Sequence, residues 1–155
     1  MQVILIRHGN AGAYTQPDHE RNLSELGKAQ AEQTATWLAA NYQPTLFIHS
    51  PYNRAAQTCD IVRANFADMP VLVNAHITPD DDAVFAVNDL ANTLDTLADD
   101  SVVVIVFHMN IIAKVASIIT GEAADGFDLA EARVYDTAVF APGLATEISR
   151  FAPNL

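Results

Sequence analysis

Four segments of this chain carry residue types suited to holding and transferring a phosphoryl group. The first is Arg7-His8-Gly9-Asn10, directly after the apolar run Val3-Ile4-Leu5-Ile6. The others are Arg21-Asn22-Leu23-Ser24, Ser50-Pro51-Tyr52-Asn53-Arg54 and Phe107-His108-Met109-Asn110. A neutral imidazole held in one tautomer is a good nucleophile for phosphorus. His8 would be held so by donating its other ring N–H to a nearby backbone carbonyl. The transferring group spreads charge over three oxygens, so catalysis is mostly positioning and electrostatic stabilisation. Arg7 and Arg54 each offer a planar fork to those oxygens. Ser50 as N-cap and Pro51 at the first helical position would open a helix with Arg54 one turn in, adding the helix N-terminus's partial positive charge. His108, if protonated, is a third cation, and Arg21 at the end of a loop is a fourth candidate. Singly, each has a plain structural reading: a strand-ending Arg-His-Gly, a solvated helix arginine, a hydrogen-bonded interior histidine. Together, each at the end of a strand or the start of a helix, they favour one shared site.

The elements that must position them follow from the pattern of apolar residues. Val3–Ile6, Leu46–His49, Val71–Val73 and Val102–Phe107 read as strands; the first and last are continuous apolar runs, as in strands buried on both faces. Residues 11–22 are polar and turn-rich, a loop. Ser24 is a plausible N-cap for a helix running to about Ala40, stopped by Asn41 and Pro44. In the helix after Ser50-Pro51, Ala55, Cys59, Val62 and Phe66 recur at helical spacing and form one buried face. Pro79–Asp82 is a loop, Val84–Leu97 a helix, and Ile111–Thr120 a helix ended by Gly121. Two terminal strands are expected near Val134–Phe140 and Thr146–Phe151, joined through Pro142-Gly143. Strands alternating with helices imply an α/β fold: one domain over residues 1–155, three layers, a mainly parallel sheet flanked by helices on both faces. In such a sheet His8 and His108 both leave the carboxyl end of a strand, where open α/β sheets bind ligands.

Composition narrows the function classes. The chain has 155 residues, enough to bury a full core. A formal net charge of −11, from 8 basic and 19 acidic residues, argues against nucleic acid and anionic membranes as partners. It also makes the arginines informative: three of the six lie in the four segments, and an acidic protein that gathers arginines at one place builds a local anion site. Half of the residues are hydrophobic, yet His108, Asn110 and Lys114 break the longest apolar stretches well short of a membrane span. No basic stretch precedes an apolar core as in a secretory signal. The single cysteine, Cys59, excludes an intramolecular disulfide, fits a reducing cytoplasm and is expected to pack on its helix. His19 and Glu20 have no third ligand nearby in sequence, so no metal site is expected there. His49 is expected to pack, and His76 carries no signal.

The chain resembles the histidine phosphatase superfamily. The resemblance rests on Arg7-His8-Gly9, on Arg21-x-Leu23-Ser24-x-x-Gly27, on Ser50-Pro51-x-x-Arg54-Ala55-x-Gln57-Thr58 and on His108, and runs from Met1 to about Gly121. The short length and spacing most resemble the SixA-type phosphohistidine phosphatases. The resemblance implies a phosphoglycerate mutase-like fold and a metal-independent hydrolase without cofactors. It implies that His8 is transiently phosphorylated, that Arg7, Arg54 and His108 form the phosphate pocket, and that Arg21 is an accessory contact. Phosphate, sulfate or vanadate are the occupants such a pocket takes. Three positions depart from the SixA-type pattern: Asn10 replaces a usual Asp, Phe107 a small polar residue, and Asn110 a frequent Pro.

For a general acid the sequence offers one acidic loop. Larger family members acting on sugar or glycerate phosphates use a carboxylate to protonate the leaving oxygen. In Thr78-Pro79-Asp80-Asp81-Asp82 the residue best matching that position is Asp82, with a solvated acidic loop as the competing reading. A phosphohistidine substrate relaxes the demand, because its leaving imidazole can already be protonated. Residues 82–102 leave room for about one helix, where metabolic members carry a longer cap. An uncapped pocket suits a phosphohistidine displayed on another protein, a phosphotransfer or signalling domain. Two other readings stay open: a phosphomonoesterase or mutase acting on a small metabolite, and a non-catalytic phosphoprotein-binding module that keeps the pocket.

Overall fold

Six strands form one sheet in the computed structural model, which describes residues 1–155. The strands are β1 (Gln2–Arg7), β2 (Leu46–His49), β3 (Val71–Val73), β4 (Val102–Phe107), β5 (Ala132–Asp136) and β6 (Thr146–Phe151). Their order across the sheet is β3-β2-β4-β1-β5-β6. β3, β2, β4 and β1 run parallel; β5 is antiparallel to β1 and β6 to β5. The helices are α1 (Glu25–Asn41), α2 (Asn53–Arg63), α3 (Ala83–Leu94) and α4 (Ile111–Thr120), with short 3-10 turns at Asp18–Glu20 and Ala64–Phe66.

β1 and β4 lie at the centre and are buried on both faces, which is why they are continuous in Val, Ile and Leu. Their side chains alternate between two cores. Val3, Leu5, Val103, Ile105 and Phe107 face α3 and α4 in a cluster of 22 buried residues. Ile4, Ile6, Val104 and Val106 face α1 and α2 in a cluster of 12. The chain leaves β1 for α1 on one face and β4 for α4 on the other. The crevice between the ends of β1 and β4 is therefore the point where the winding of the sheet reverses.

The expected elements are present, with differences at four ends. α2 starts at Asn53, with Tyr52 as N-cap and no side-chain cap. Ser50 is not the cap because its hydroxyl is engaged by His108 Nε2 at 2.8 Å, so Arg54 is the second residue of the helix. α3 stops at Leu94, where Thr96 Oγ1 turns back onto the Thr93 carbonyl at 2.8 Å. β5 begins earlier than expected, at Ala132, and ends at Asp136, because Thr137 Oγ1 donates to the Val139 carbonyl and starts a turn. That turn runs through Gly143 at φ +76°. β3 is an edge strand with all three side chains exposed. As expected, Ser24 caps α1 by accepting from Gly27 N at 3.0 Å, and Gly121 closes α4 in the left-handed region. No helix is long and apolar enough to cross a membrane.

Candidate active site

The register of the two central strands brings the histidines together. Arg7 pairs with Phe107, so His8 and His108 leave adjacent strand ends side by side, their ring centroids 5.1 Å apart. The His8 backbone N–H donates to the Phe107 carbonyl at 3.0 Å, tying the two ends together. His8 is buried; its Nδ1 lies 2.7 Å from the Gly9 carbonyl, an acceptor, so Nδ1 carries the proton and Nε2 presents a lone pair. Arg54 Nε donates to that lone pair at 3.3 Å. Burial first, and then the charges of Arg54, Arg7 and Arg21, push the His8 pKa down to about 4, against a smaller opposing effect of the Gly9 hydrogen bond. Near neutral pH the ring is the neutral imidazole that nucleophilic attack requires.

His108 is fully buried, with Nε2 2.8 Å from Ser50 Oγ. Burial, then repulsion from His8, Arg54 and Arg7, pushes its pKa down to about 2. The expected third cation is therefore a neutral ring in the ligand-free protein. Ser50 Oγ accepts from Tyr52 N at 3.3 Å, which leaves its own proton free for His108 Nε2. In that arrangement His108 Nδ1 is a donor without a partner.

Two glycines let the His8 loop lie directly on α1. A Cβ on Gly9 would meet the Gly27 carbonyl oxygen at 2.5 Å, and one on Gly27 would meet the Asn10 carbonyl oxygen at 2.0 Å. Side chains from the other motifs pin the same loop. Thr58 Oγ1 accepts from Gly9 N at 3.1 Å, and Gln57 Oε1 accepts from Leu23 N at 2.8 Å. Asn10 Oδ1 accepts from Ser24 Oγ at 2.7 Å and from Gly12 N at 2.9 Å, while Asn10 N donates to Gln30 Oε1. Asn10 therefore organises the loop, and a carboxylate there would accept the same two bonds. Phe107 is wholly buried in the α3/α4 core, and Asn110 sits at the N-cap position of α4 without a side-chain cap bond.

The three arginines of the motifs converge on the histidines. Arg7 Nη1 donates to the Phe127 carbonyl at 2.8 Å. Phe127 belongs to a segment held by Arg133, whose guanidinium stacks 3.8 Å from the Phe127 ring and donates to the Asp125 and Gly126 carbonyls. Arg133 is itself buried and paired with Glu131. Arg54 is buried and lies over the Tyr52 ring. Its Nη1 and Nη2 both bind the carboxylate of Asp18, Nη1 to Oδ1 at 3.3 Å and Nη2 to Oδ2 at 3.1 Å. Arg21 Nη1 reaches the same carboxylate at 3.0 Å.

Asp18 is the one site residue that sequence reasoning missed. It lies in the polar segment read as a loop, and only its place three residues before Arg21 hinted at a pairing. Asp82 lies at the end of its loop, as expected, immediately before α3. Its Oδ2 accepts from Phe85 N at 2.9 Å and caps α3. The charges bearing on His8 come from Arg54, Arg7 and Arg21, and those bearing on His108 from His8, Arg54 and Arg7, with Asp82 in neither set. Cys59 is buried in the α1/α2 core, and burial pushes its thiol up to about 12, so it packs. His49 bonds the Ser50 carbonyl through Nδ1.

Three buried side-chain nitrogens in the molecule lack a hydrogen-bond partner, and all three belong to this site: Arg7 Nε, Arg21 Nε and His108 Nδ1. Buried donors are almost always satisfied, so such a cluster marks where a ligand's acceptors belong. None of the molecule's five cavities is lined by His8, Arg54 or His108.

The family model of the histidine phosphatase superfamily (branch 1) matches residues 3–78, the stretch that carries Arg7, His8, Arg21 and Arg54. No curated protein matches the sequence. Among solved structures, the protein histidine phosphatase SixA complexed with tungstate superposes with a TM-score of 0.85 at 22% identity, over 98% of this chain and 97% of that one. The phosphoserine phosphatase of Entamoeba histolytica in complex with 3-phosphoglyceric acid gives 0.73 at 16% identity, over 99% and 98% of the two chains. A mycobacterial glucosyl-3-phosphoglycerate phosphatase complexed with VO3 gives 0.72 at 19% identity, over 87% and 92%. These likenesses show a shared fold through the whole chain, including the β4 end that supplies His108. Residues 3–78 thus match the histidine phosphatase superfamily in sequence, and the whole chain shares the fold of these solved structures.

Proposed function

We propose that this protein is a phosphohistidine phosphatase that removes the phosphoryl group from a histidine on a protein partner. The reading is carried by the three unpartnered buried nitrogens of Arg7, Arg21 and His108 gathered around a neutral His8 whose Nε2 is unprotonated and becomes the attacking atom once Arg54 Nε turns from it to a phosphoryl oxygen. In the first step His8 Nε2 bonds to phosphorus and the P–N bond of the substrate breaks. The leaving imidazole keeps the proton it already carries, so no strong acid is needed. In the second step water attacks phosphorus, the bond to His8 breaks, and inorganic phosphate and neutral His8 are released. Arg7, Arg21 and Arg54 supply the positive charge that neutralises the phosphoryl oxygens, so the reading is metal-independent. His108 donates from Nδ1 once the anion arrives.

The preference for a displayed histidine rests on how little chain lies between β3 and β4. Between β3 and β4 the chain carries α3 alone, with no further element to enclose a metabolite. A small free ligand is normally buried over most of its surface. A second reading, hydrolysis of a small phosphomonoester, is favoured by the fold shared with phosphoserine and glucosyl-3-phosphoglycerate phosphatases. Asp82 is the candidate acid of that reading, and it would have to leave its cap bond to serve.

The test is phosphate release from a phosphohistidine-bearing phosphotransfer domain, wild type against His8→Ala, with parallel assays on phosphoserine and 3-phosphoglycerate. Release from the domain that is lost in the variant, with slow turnover of the esters, supports the proposal. Negligible release from the domain alongside fast ester hydrolysis overturns it in favour of the second reading. Vanadate binding without turnover of any substrate leaves a binding module.

A further inference from the structure

Every terminal nitrogen of Arg54 is committed to a single residue that no motif includes. Nη1 donates to the Asp18 backbone carbonyl at 2.9 Å, and Nη1 and Nη2 together grip its carboxylate. Only the Nε edge of the guanidinium faces His8. A guanidinium presents two usable edges, and a carboxylate fills one of them bidentately. With the terminal edge filled by Asp18, the remaining edge has one orientation, toward His8 Nε2.

The same carboxylate reaches across to Arg21 Nη1, and the salt bridges are 3.1 Å to Arg54 and 3.0 Å to Arg21. Two guanidinium groups this close repel each other unless an anion sits between them. Asp18 is that anion. Partial burial disfavours its charge, but hydrogen bonds from Arg21 and Arg54 outweigh this and hold the carboxyl below its usual range. The turn that carries Asp18 is fixed at both ends. Arg21 N bonds the Asp18 carbonyl at 3.2 Å, and Asn53 Nδ2, in the first turn of α2, bonds the Glu20 carbonyl at 3.2 Å.

We propose that Asp18 is a positioning residue for phosphoryl transfer: its carboxylate bridges Arg54 and Arg21, holds the Nε edge of Arg54 on the nucleophile, and keeps the pocket from retaining free phosphate. The proposal rests on the phosphatase reading above, but it has a consequence independent of turnover. A pocket with an internal anion is less positive by one charge than the same pocket without it. Removing Asp18 should slow the chemistry, because Arg54 loses its orientation, and at the same time tighten the binding of inorganic phosphate. A residue that merely supports the loop would lower both together.

The experiment compares wild type, Asp18→Ala and the isosteric Asp18→Asn. Calorimetry measures the Kd for inorganic phosphate, and phosphate release from the phosphohistidine-bearing domain gives kcat and KM. Asp18→Ala is expected to lower kcat by about 10- to 100-fold with KM little changed. Its phosphate Kd should fall by about tenfold. Asp18→Asn keeps an acceptor for Arg54 but no charge, so it should recover part of kcat while still binding phosphate more tightly than wild type. In an Arg54→Ala background, Asp18→Asn should cause no further loss of kcat, since the residue it orients is gone. Wild-type kcat and phosphate Kd in both variants overturn the proposal. So does a parallel loss of kcat and phosphate affinity, or full additivity with Arg54→Ala. If wild type releases no phosphate from any substrate, the phosphatase reading fails, and the phosphate Kd alone decides: tighter binding in Asp18→Asn supports the internal anion, and unchanged or weaker binding refutes it.

Discussion

Adding one methyl group to Gly27 sets two opposing effects against each other. Gly27 lies in the first turn of α1, where alanine would improve helix propensity by about 1 kcal/mol. Its Cβ would stand 2.0 Å from the Asn10 carbonyl oxygen and 2.9 Å from the Asn10 C and N atoms. Those are backbone atoms, so no flexible side chain can swing aside; to reach ordinary contact the Asn10 peptide must retreat by more than about 1 Å. Ser24 N, Ser24 Oγ and Gln30 Oε1 hold that peptide in place, and each bond broken costs on the order of 1 kcal/mol. With an overpacking cost of about 1–3 kcal/mol, the clash wins over the propensity gain. Gly27→Ala should lose roughly 2 kcal/mol and lower Tm by about 4–8 °C. Asn10 is two residues from His8, the proposed nucleophile, and misplacing such a group by about 1 Å costs on the order of 100-fold in rate. Thermal unfolding and kcat for phosphate release measure the two effects on one sample. A variant with raised Tm and wild-type kcat would refute the close approach of the loop to α1.

Other consequences follow from the same geometry. The folded His8 pKa of about 4 lies below the ordinary 6.5, so between those values the unfolded chain binds more protons. Stability from this group is full above about pH 6.5 and is lost as pH falls towards 4, roughly 3 kcal/mol in all; His108 extends the loss lower. Urea titrations of wild type and His8→Asn at pH 7.5 and 5 should therefore diverge, wild type losing more on acidification, and equal losses would contradict a buried neutral His8. Glu131→Ala leaves the Arg133 guanidinium buried without its carboxylate and should cost about 3–5 kcal/mol in chemical denaturation; a loss under 1 kcal/mol would mean the pair is not a buried one. Asp82→Ala should lose about 1 kcal/mol of stability as α3 loses its cap, with kcat on phosphohistidine unchanged. A tenfold or greater fall in that kcat would return Asp82 to the chemistry as an acid.

The central sheet was legible because burial on both faces leaves an unambiguous trace. Val3–Ile6 and Val102–Phe107 are continuous apolar runs and Leu46–His49 is apolar over its first three residues, and they form the strands that lead into His8, His108 and Ser50. Legibility failed where one side chain serves a distant partner. Ser50-Pro51 has the composition of a helix start, but the Ser50 hydroxyl is drawn 58 residues along the chain to His108 Nε2, and α2 starts later. The start of β5 was missed because Arg133 looks like a surface residue until Glu131 and the carbonyls of residues 125 and 126 are seen to bury it.

The site divides along the same line. Residues of the proposed phosphoryl site were legible by type, since few side chains can attack phosphorus or bind its oxygens: His8, Arg7, Arg21, Arg54 and His108 do converge. Their protonation was not legible. The charge on His108 depends on how completely a neighbouring ring and two guanidinium groups exclude water and repel a proton, which only the packed structure sets. Asp18 was hidden for a related reason. A carboxylate in an acidic protein's polar loop carries no signal of its own, and its meaning comes from the two arginines it separates, one of them 36 residues away. In a chain of net charge −11, gathering three arginines beside two histidines needs a counter-charge placed where it steadies them without filling the phosphoryl position. The terminal edge of Arg54 is such a place: an anion bound there restrains the guanidinium and leaves its Nε edge facing His8.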